Sequence, residues 1–558
     1  MAKKDEQAQP QGSGSVTSKR PFGLRDKIGY MFGDVGNDFT FILQMAFFMV
    51  FYTRMGVNPG FIGTMLLVVR LFDAFWDVIF GRIVDVLKPT KHGRFRPWIG
   101  RIAIPICVAS ALMYIPFVSS FSTTGKLVYM VCTYLLWNFL YTMINIPYGS
   151  MASVITDNPK DRASLSVFRS LGAMIAALGI QTVLPIFVYT YDEATGQKVL
   201  NPHNMAIAAI ICAICGIISY YITFFNVEER VEPQVDPNHE KAGFGAMLKT
   251  VATNRALLAL ICAAILVLLG SFVAGQVMPF IFQDYFGNGQ LQSWGGLVQN
   301  IPVLLLAITG AWLTVHFGKK EAISVALLFS GVVGIVMYFL HLDNVVIFLV
   351  LYFFMALGLS TFNSLVWAII TDVIDYQEVR VGERDDATIY AIYSWARKLG
   401  QALAGFIGGW SLTAIGYNEH AVEQGVTQTQ SVLDGLYLLF LIVPAVLYLL
   451  AGLVMAFWYP LTKQRVHENY LTLRGRREKA TGRKADLDSK FVGDSEDAQV
   501  VDPAAGVKVP AGGSSATAEW VSPVMRDTAL GRETSEERRM FEEDRRIYKE
   551  DWRDSKDE

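Results

Sequence analysis

Long apolar runs separated by short polar loops organise this chain. Reading each run of about 20 mainly apolar residues as a bilayer-crossing helix gives twelve, at roughly 28–54, 58–86, 97–119, 124–157, 161–191, 203–227, 247–285, 290–317, 320–341, 344–376, 385–416 and 434–461. Several exceed one crossing, which predicts tilt or helical extension past the bilayer. No period-two alternation recurs, which argues against an outer-membrane barrel. The longest internal polar stretch, NVEERVEPQVDPNHEKAG (226–243), falls between spans 6 and 7. The pattern predicts an all-α membrane protein in five parts: an N-terminal segment at 1–27, a six-helix half at 28–227, a linker at 228–246, a second six-helix half at 247–461, and a largely flexible tail at 462–558.

Composition narrows the function classes. The 558 residues are 52% hydrophobic and only 18% charged, with a mean hydropathy of +0.35, whereas soluble domains average about 25% charged. That excludes a disordered chain and a disulfide scaffold. A net charge of −2 supplies no field for nucleic acid. The five cysteines (Cys107, Cys132, Cys212, Cys215 and Cys262) lie in apolar runs, without metal-ligand spacing, and read as small buried hydrophobes. The first 20 residues lack the apolar core of a signal peptide, so the first apolar run is expected to be the first span. Loops on one side carry twelve Lys and Arg, and those on the other side three, Arg54, Lys126 and Lys198. The positive-inside rule then places the basic loops and both termini in the cytoplasm of a cell (inner) membrane. Two loops six spans apart, GRIVDVLKPTKHGRFRPW (81–98) and GAWLTVHFGKK (310–320), look like copies of one another.

Ionisable residues inside apolar helices are expensive and mark function by default. Span 2 carries Arg70, Asp73 and Asp77 in VVRLFDAFWDVIFG, spaced so that all three fall within about 60° of one helix face. Two carboxylates one turn apart repel unless a cation or a proton sits between them, so the face suits Na⁺ or H⁺; a structural Arg–Asp pair is the competing account. Span 1 carries Asp34 and Asp38 beside Gly33 and Gly36, which allow close helix approach. Thr142 and Asn145 share a face of span 4, and Arg169 lies in span 5, either lining a site or snorkelling to the interface. In span 11, Ser394, Lys398 and Gln401 share one face and Tyr390, Tyr393 and Arg397 the next. Rings beside hydroxyl-binding donors suit a sugar.

The stretches GDVGNDF (33–39), RLFDAFWDVIFGRIVD (70–85), GRFRPW (93–98), YTMINIPYGS (141–150), TDVIDYQE (371–378) and GERDDATIYAIYSWARKLGQALAG (382–405) together resemble the glycoside–pentoside–hexuronide:cation symporters, the family of the melibiose permease. The resemblance covers about 22–475. It implies the major facilitator fold, twelve transmembrane helices in two six-helix halves, with a site between the halves near mid-membrane. It implies import of a glycoside or other sugar with a monovalent cation, H⁺ or Na⁺, and no cofactor. The family's cation site falls on Asp73 and Asp77, helped by Asp38 and Thr142; Asp73 and Asp77 are metal ligands only if Na⁺ is the coupling ion. Its sugar contacts fall on Asp38, Asn145, Arg169 and Lys398, to which the aromatic face adds Tyr393. Arg94 and Arg96 are expected to latch one state by pairing with helix-end acids such as Asp85. Asn145 stands where the melibiose permease has an acid, so a galactoside preference does not transfer. Trp76 stands where that permease has an asparagine that helps set ion choice, which adds weight to H⁺.

The tail opens with a basic stretch suited to anionic headgroups, runs through a Gly/Ala/Pro-rich linker, and ends on TSEERRMFEEDRRIYKEDWRD (534–554). That segment has a capping-box start and a narrow apolar stripe, a possible dock for a cytoplasmic partner. The expected partners are a small-molecule sugar and the lipid bilayer, with no nucleic acid; the oligomeric state stays open. The rival classes are an uncoupled sugar facilitator, a lysolipid-type carrier and a non-transporting sensor. An enzyme is not expected, since no P-loop and no zinc-spaced cysteine–histidine set occurs.

Overall fold

The computed structural model describes residues 20–87, 90, 93–156, 158–231, 254–382 and 386–481. The long helices, in chain order, are α1 (Leu24–Arg54), α2 (Pro59–Val86), α3 (Arg96–Leu112), α4 (Thr123–Ile155), α5 (Pro159–Leu178), α6 (Pro202–Asn226), α7 (Arg255–Phe280), α8 (Gln292–Phe317), α9 (Lys319–Leu340), α10 (Val345–Val381), α11 (Asp386–Ala414), α12 (Gln430–Leu453) and a polar α13 (Lys463–Thr481). Single π-turns extend α5, α7 and α12, at Gly179–Val183, Ile281–Tyr285 and Val454–Trp458. Asparagine side chains cap α2, α6, α7 and α10 at Asn58, Asn201, Asn254 and Asn344, each meeting backbone donors that the helix leaves unpaired.

Among the described residues, eight helices are long and apolar enough to cross a membrane, and α8, bent by 41° between Leu306 and Ile308, makes up to nine. The others fall short for physical reasons. Helix α3 has 17 residues, while α2 and α11 carry the charges discussed below. The run read at 97–119 ends its helix at Leu112 and continues in a 3₁₀ turn, Pro116–Ser120.

The fold is all-helical but for one small connection, a two-stranded antiparallel hairpin, β1 (Tyr189–Tyr191) with β2 (Lys198–Leu200), which joins α5 to α6. Four polar residues in its turn hid it within a span and a loop. Cys132 is exposed rather than buried, because α4 turns that face outward, where an apolar surface costs nothing against lipid.

At the hairpin end α2 is sewn to α11. Gly60 N donates to Thr413 Oγ1 (2.9 Å), Thr413 to Asn58 Oδ1 (3.0 Å), and Trp410 Nε1 to Thr64 Oγ1 (3.0 Å). Gly63 and Gly409 let α2 and α11 cross backbone to backbone: a Cβ on Gly63 would sit 2.8 Å from Gly405 O, and one on Gly409 would sit 2.9 Å from Gly63 Cα. The hairpin ties into the α7–α8 connection through Lys198 N to Gly287 O (3.0 Å), Lys198 Nζ to Gln290 Oε1 (2.7 Å) and Leu200 N to Gln283 Oε1 (3.1 Å).

At the opposite, basic-loop end, each connection is tied down locally. Both copied loops turn on a glycine with positive φ, Gly93 (+100°) and Gly318 (+90°), a conformation open to residues without Cβ. After Gly93, the Glu229 carboxylate accepts from three successive amides, Arg94 N (2.7 Å), Phe95 N (2.8 Å) and Arg96 N (2.7 Å). An anion at a helix N-terminus is favoured by both the free donors and the dipole. In the second half, Lys319 pairs with Asp372 (2.8 Å), and Arg476 of α13 donates to Glu378 O and Val379 O at the end of α10. Replacing Glu229 by Ala strips all three amides of a charged acceptor. We expect a loss of about 2 kcal/mol or more, read as a lower thermal unfolding midpoint of the purified protein.

Candidate functional site

The charges of α2 meet α4 across its polar face. Asn138, Thr142 and Asn145 stand i, i+4, i+7 on α4, within one helical stripe. Asn138 Nδ2 donates to Asp73 Oδ1 at 2.9 Å. Thr142 Oγ1 lies 2.9 Å from Asp73 Oδ1 and 3.0 Å from Asp77 Oδ1. One hydroxyl has one proton, so Thr142 bridges the carboxylates by serving either in turn. Arg70 Nη1 stands 3.7 Å from Asp73 Oδ2, with its guanidinium 5.8 Å from the Phe41 ring. From α11, Lys398 forms an ion pair with Asp77 and lies 4.0 Å from Asp73 Oδ2. Two carboxylates and two cations cancel, which is what permits the group inside an apolar bundle. Asp73 is 5% exposed; the Asp77 side chain is 21% exposed and Lys398 is 49%, so the cluster is reached from the Lys398 side. The Asn138 carbonyl oxygen is buried and meets no donor among the described residues.

A second cluster adjoins it along the same face of α4. Arg169 Nε of α5 donates to Asp34 Oδ1 at 3.0 Å and stacks 5.4 Å from the Tyr148 ring. Tyr148 OH donates to Tyr30 O (2.8 Å), with the two rings stacked at 4.7 Å. Gly33 makes this possible, since a Cβ there would overlap the Tyr148 ring. Asn37 reaches Asn145 Oδ1 (3.5 Å) and accepts from Tyr220 OH of α6 (2.8 Å). Asp38 is half-buried, within electrostatic reach of Asp34 and Arg169. Tyr141 stands between the clusters, in the field of Asp34, Asp38, Arg70 and Arg169.

A cavity of about 420 Å³ is walled by α1, α5, α7, α8, α10 and α11, a size ordinary for a small-molecule site. Its polar groups are Gln181, Ser271, Gln292, Gln299, Asn363 and Arg397; Trp367 and Tyr393 supply aromatic faces. Tyr393 meets Trp367 edge to face at 5.4 Å.

Thus Asp73, Asp77, Thr142 and Lys398 come together in one cluster, Asp38, Asn145 and Arg169 fall in the adjoining one, and Tyr393 lines the cavity. Lys398 turns to Asp77 as an ion-pair partner. Arg94 and Arg96 stand apart at the basic-loop end, where Arg94 Nε donates to Val84 O (3.0 Å) and Arg96 Nε to Phe224 O. The side chains of Asp85 and Tyr390 lie outside the described residues. Sequence reasoning left Asn138, Asn37, Tyr148, Tyr220 and Glu229 unassigned. The spacing of Asn138 to Thr142 and Asn145 was the available signal; nothing local marks Tyr220 or Glu229.

The helical membrane bundle with a charge-balanced polar centre among α2, α4 and α11, taken with the family match and relatives given next, is that of a membrane transporter of the major facilitator class rather than an enzyme. The chain belongs to the MFS/sugar transport protein family, whose model matches residues 29–463. It is 33% identical over 455 residues to the symporter YjmB of Bacillus subtilis, covering 81% of this chain and 95% of that one. It is 30% identical over 456 residues to the glucuronide carrier protein homolog of Escherichia coli, covering 81% and 96%. Among solved structures, a bacterial homologue of the iron transporter ferroportin superposes with a TM-score of 0.54 at 12% identity, covering 79% of this chain and all of that one, a likeness of fold.

Proposed function

We infer that this protein is a twelve-span sugar:cation symporter that imports its substrate by alternating access, with the hairpin end facing outward and the basic loops and both termini in the cytoplasm. One observation carries the coupling: Asp73 and Asp77 are bridged by Thr142 from the same half and closed by Lys398 from the other half. A cation that binds the two carboxylates competes with Lys398 for Asp77, and so acts on the very contact that ties the halves together. Sugar in the cavity contacts α10 and α11, which present Trp367, Tyr393 and Arg397. Each ligand therefore biases the same helix, and by linkage each tightens the other by an equal factor. The sealed hairpin end supports an inward-open resting state.

The donors available to the ion are all oxygens, including the unpartnered Asn138 carbonyl, a set that fits a hard cation such as Na⁺. Trp76 favours the proton: its Nε1 turns to Phe139 O at 3.4 Å, so the position beside Asp77 adds no ligand. Sugar uptake into proteoliposomes, with Na⁺ and pH gradients imposed separately, decides between them. Accumulation that ignores both gradients rejects symport and leaves a facilitator. With Na⁺ as the ion, Asn138→Leu is expected to raise the half-stimulating Na⁺ concentration about 10-fold while sparing sugar counterflow. An unchanged Na⁺ response in Asn138→Leu removes that residue from the site.

A further inference from the structure

We propose that a cleft beside Gly318, at the basic-loop end, is a site for a phosphate group, either free phosphate or the headgroup phosphate of a lipid. The site does not depend on what the cavity carries. A comparison of the two copied loops points to it. After Gly93, the Glu229 carboxylate accepts from the amides of Arg94, Phe95 and Arg96. After Gly318, which turns with the same sign of φ, no side chain caps the start of α9. Glu321, in the first turn of α9, does not fill that part: its Oε2 is buried and meets no donor among the described residues. The chain thus supplies an anion to the first loop and none to the second, although unpaired amides and the helix dipole favour one at both.

The side chains around Gly318 complete the site. The cleft holds about 80 Å³, and its lining includes Lys319, Lys320, Asp372, Tyr459 and Lys463. It is well short of the roughly 300 Å³ at which small-molecule sites begin, a size for one oxyanion rather than a sugar. Lys319 is committed to Asp372 (2.8 Å). Lys320 pairs with no carboxylate among the described residues. Lys463 gives one proton of its ammonium to Val315 O (2.6 Å) and keeps two to offer. Tyr459 is 1% exposed and lies in the field of Asp372, yet its hydroxyl meets no partner among the described residues. A buried hydroxyl of that kind is costly until an acceptor arrives. With Glu321 counted, three lysines face two acids, so an incoming anion meets a positive surplus. Phosphate oxygens accept from phenol, ammonium and helix amide alike, and the ionised acceptor strengthens each bond. Tyr459 precedes α13 and Lys463 opens it, so one phosphate ties the α8–α9 connection to the start of α13, as Glu229 ties down the first loop.

The test follows the thermal unfolding midpoint of the full chain in a phosphate-free maltoside detergent at constant ionic strength. Inorganic phosphate and dihexanoyl phosphatidylglycerol are titrated separately, with dihexanoylglycerol, which lacks the phosphate, as the control. A ligand that binds the folded state raises the midpoint, so at least one phosphate-bearing probe is expected to raise it saturably and the control is not. Tyr459→Phe removes one oxygen and keeps the ring; Lys320→Gln removes one charge. Each is expected to keep the wild-type midpoint without probe, which shows that it folds, and to raise the half-saturating probe concentration about 10-fold. A response to inorganic phosphate assigns the site to soluble phosphate; a response to the lipid alone assigns it to a headgroup. The proposal is overturned if neither probe moves the midpoint, if dihexanoylglycerol moves it as far as the phospholipid does and inorganic phosphate not at all, or if both variants respond as wild type does. None of these outcomes bears on sugar uptake, so the transport reading stands or falls separately.

Discussion

Asp77→Asn is expected to abolish gradient-driven accumulation: sugar inside the vesicle rises to the outside concentration and no further. The substitution keeps the size of the side chain but removes the charge that Lys398 pairs with. Two losses follow. Under the proposed coupling the ion loses one of two carboxylates, and Lys398 is left with Asp73, 4.0 Å away, as its remaining carboxylate at the cluster. Losing one of two carboxylate ligands halves the negative charge offered to the ion, and cation affinity is expected to fall about 10-fold or more. Exchange of labelled for unlabelled sugar, which needs no net cation flux, is expected to persist. Steady-state accumulation and counterflow measured on the same vesicles separate the two. Accumulation equal to wild type would remove Asp77 from the coupling site.

The second large effect is expected at Gly409. Its missing side chain is what lets α11 lie against the start of α2; a Cβ would sit 2.9 Å from the Gly63 backbone and overlap the carbonyl oxygen of Pro59. Gly409→Leu forces the helices apart at the hairpin end. Overpacking of this kind costs about 1–3 kcal/mol, all of it charged to the state in which that end is shut. The balance between outward-shut and outward-open forms is expected to move about 10- to 100-fold toward open. A single cysteine placed in the cavity wall, at Ser271 for example, then reacts faster with a membrane-impermeant thiol reagent from the hairpin side. An unchanged rate would mean that the α2–α11 crossing does not seal that end.

The fold was legible where physics acts on runs of residues. Twenty apolar positions in a row announce a helix whatever surrounds them, and the boundaries read for α1, α2, α6 and α9 fall within a few residues of the observed ones. The α2 cluster was legible because its three charges recur at helical spacing in a run where charge has no other reason to be. What escaped depends on contacts far apart in sequence. Glu229 sits in a polar connector that reads as linker, and only the fold brings three amides of the α3 N-terminus onto its carboxylate. The ion pair of Lys398 with Asp77 escaped because the two are 321 residues apart, while the family resemblance marked Lys398 for sugar contact alone. Tyr220 looks like any aromatic in an apolar helix until its hydroxyl is seen on Asn37. The hairpin was hidden by its brevity, since three residues a strand carry too little pattern to separate from a span end.

That small hairpin sets a tempo. Its bonds to the α7–α8 connection clasp the α5–α6 link to α7 and α8, and under the proposed alternating access each transport round must undo and remake them. A stronger clasp therefore slows turnover instead of improving it, and an antibody fragment that grips the hairpin from outside would jam the carrier without ever touching the sugar.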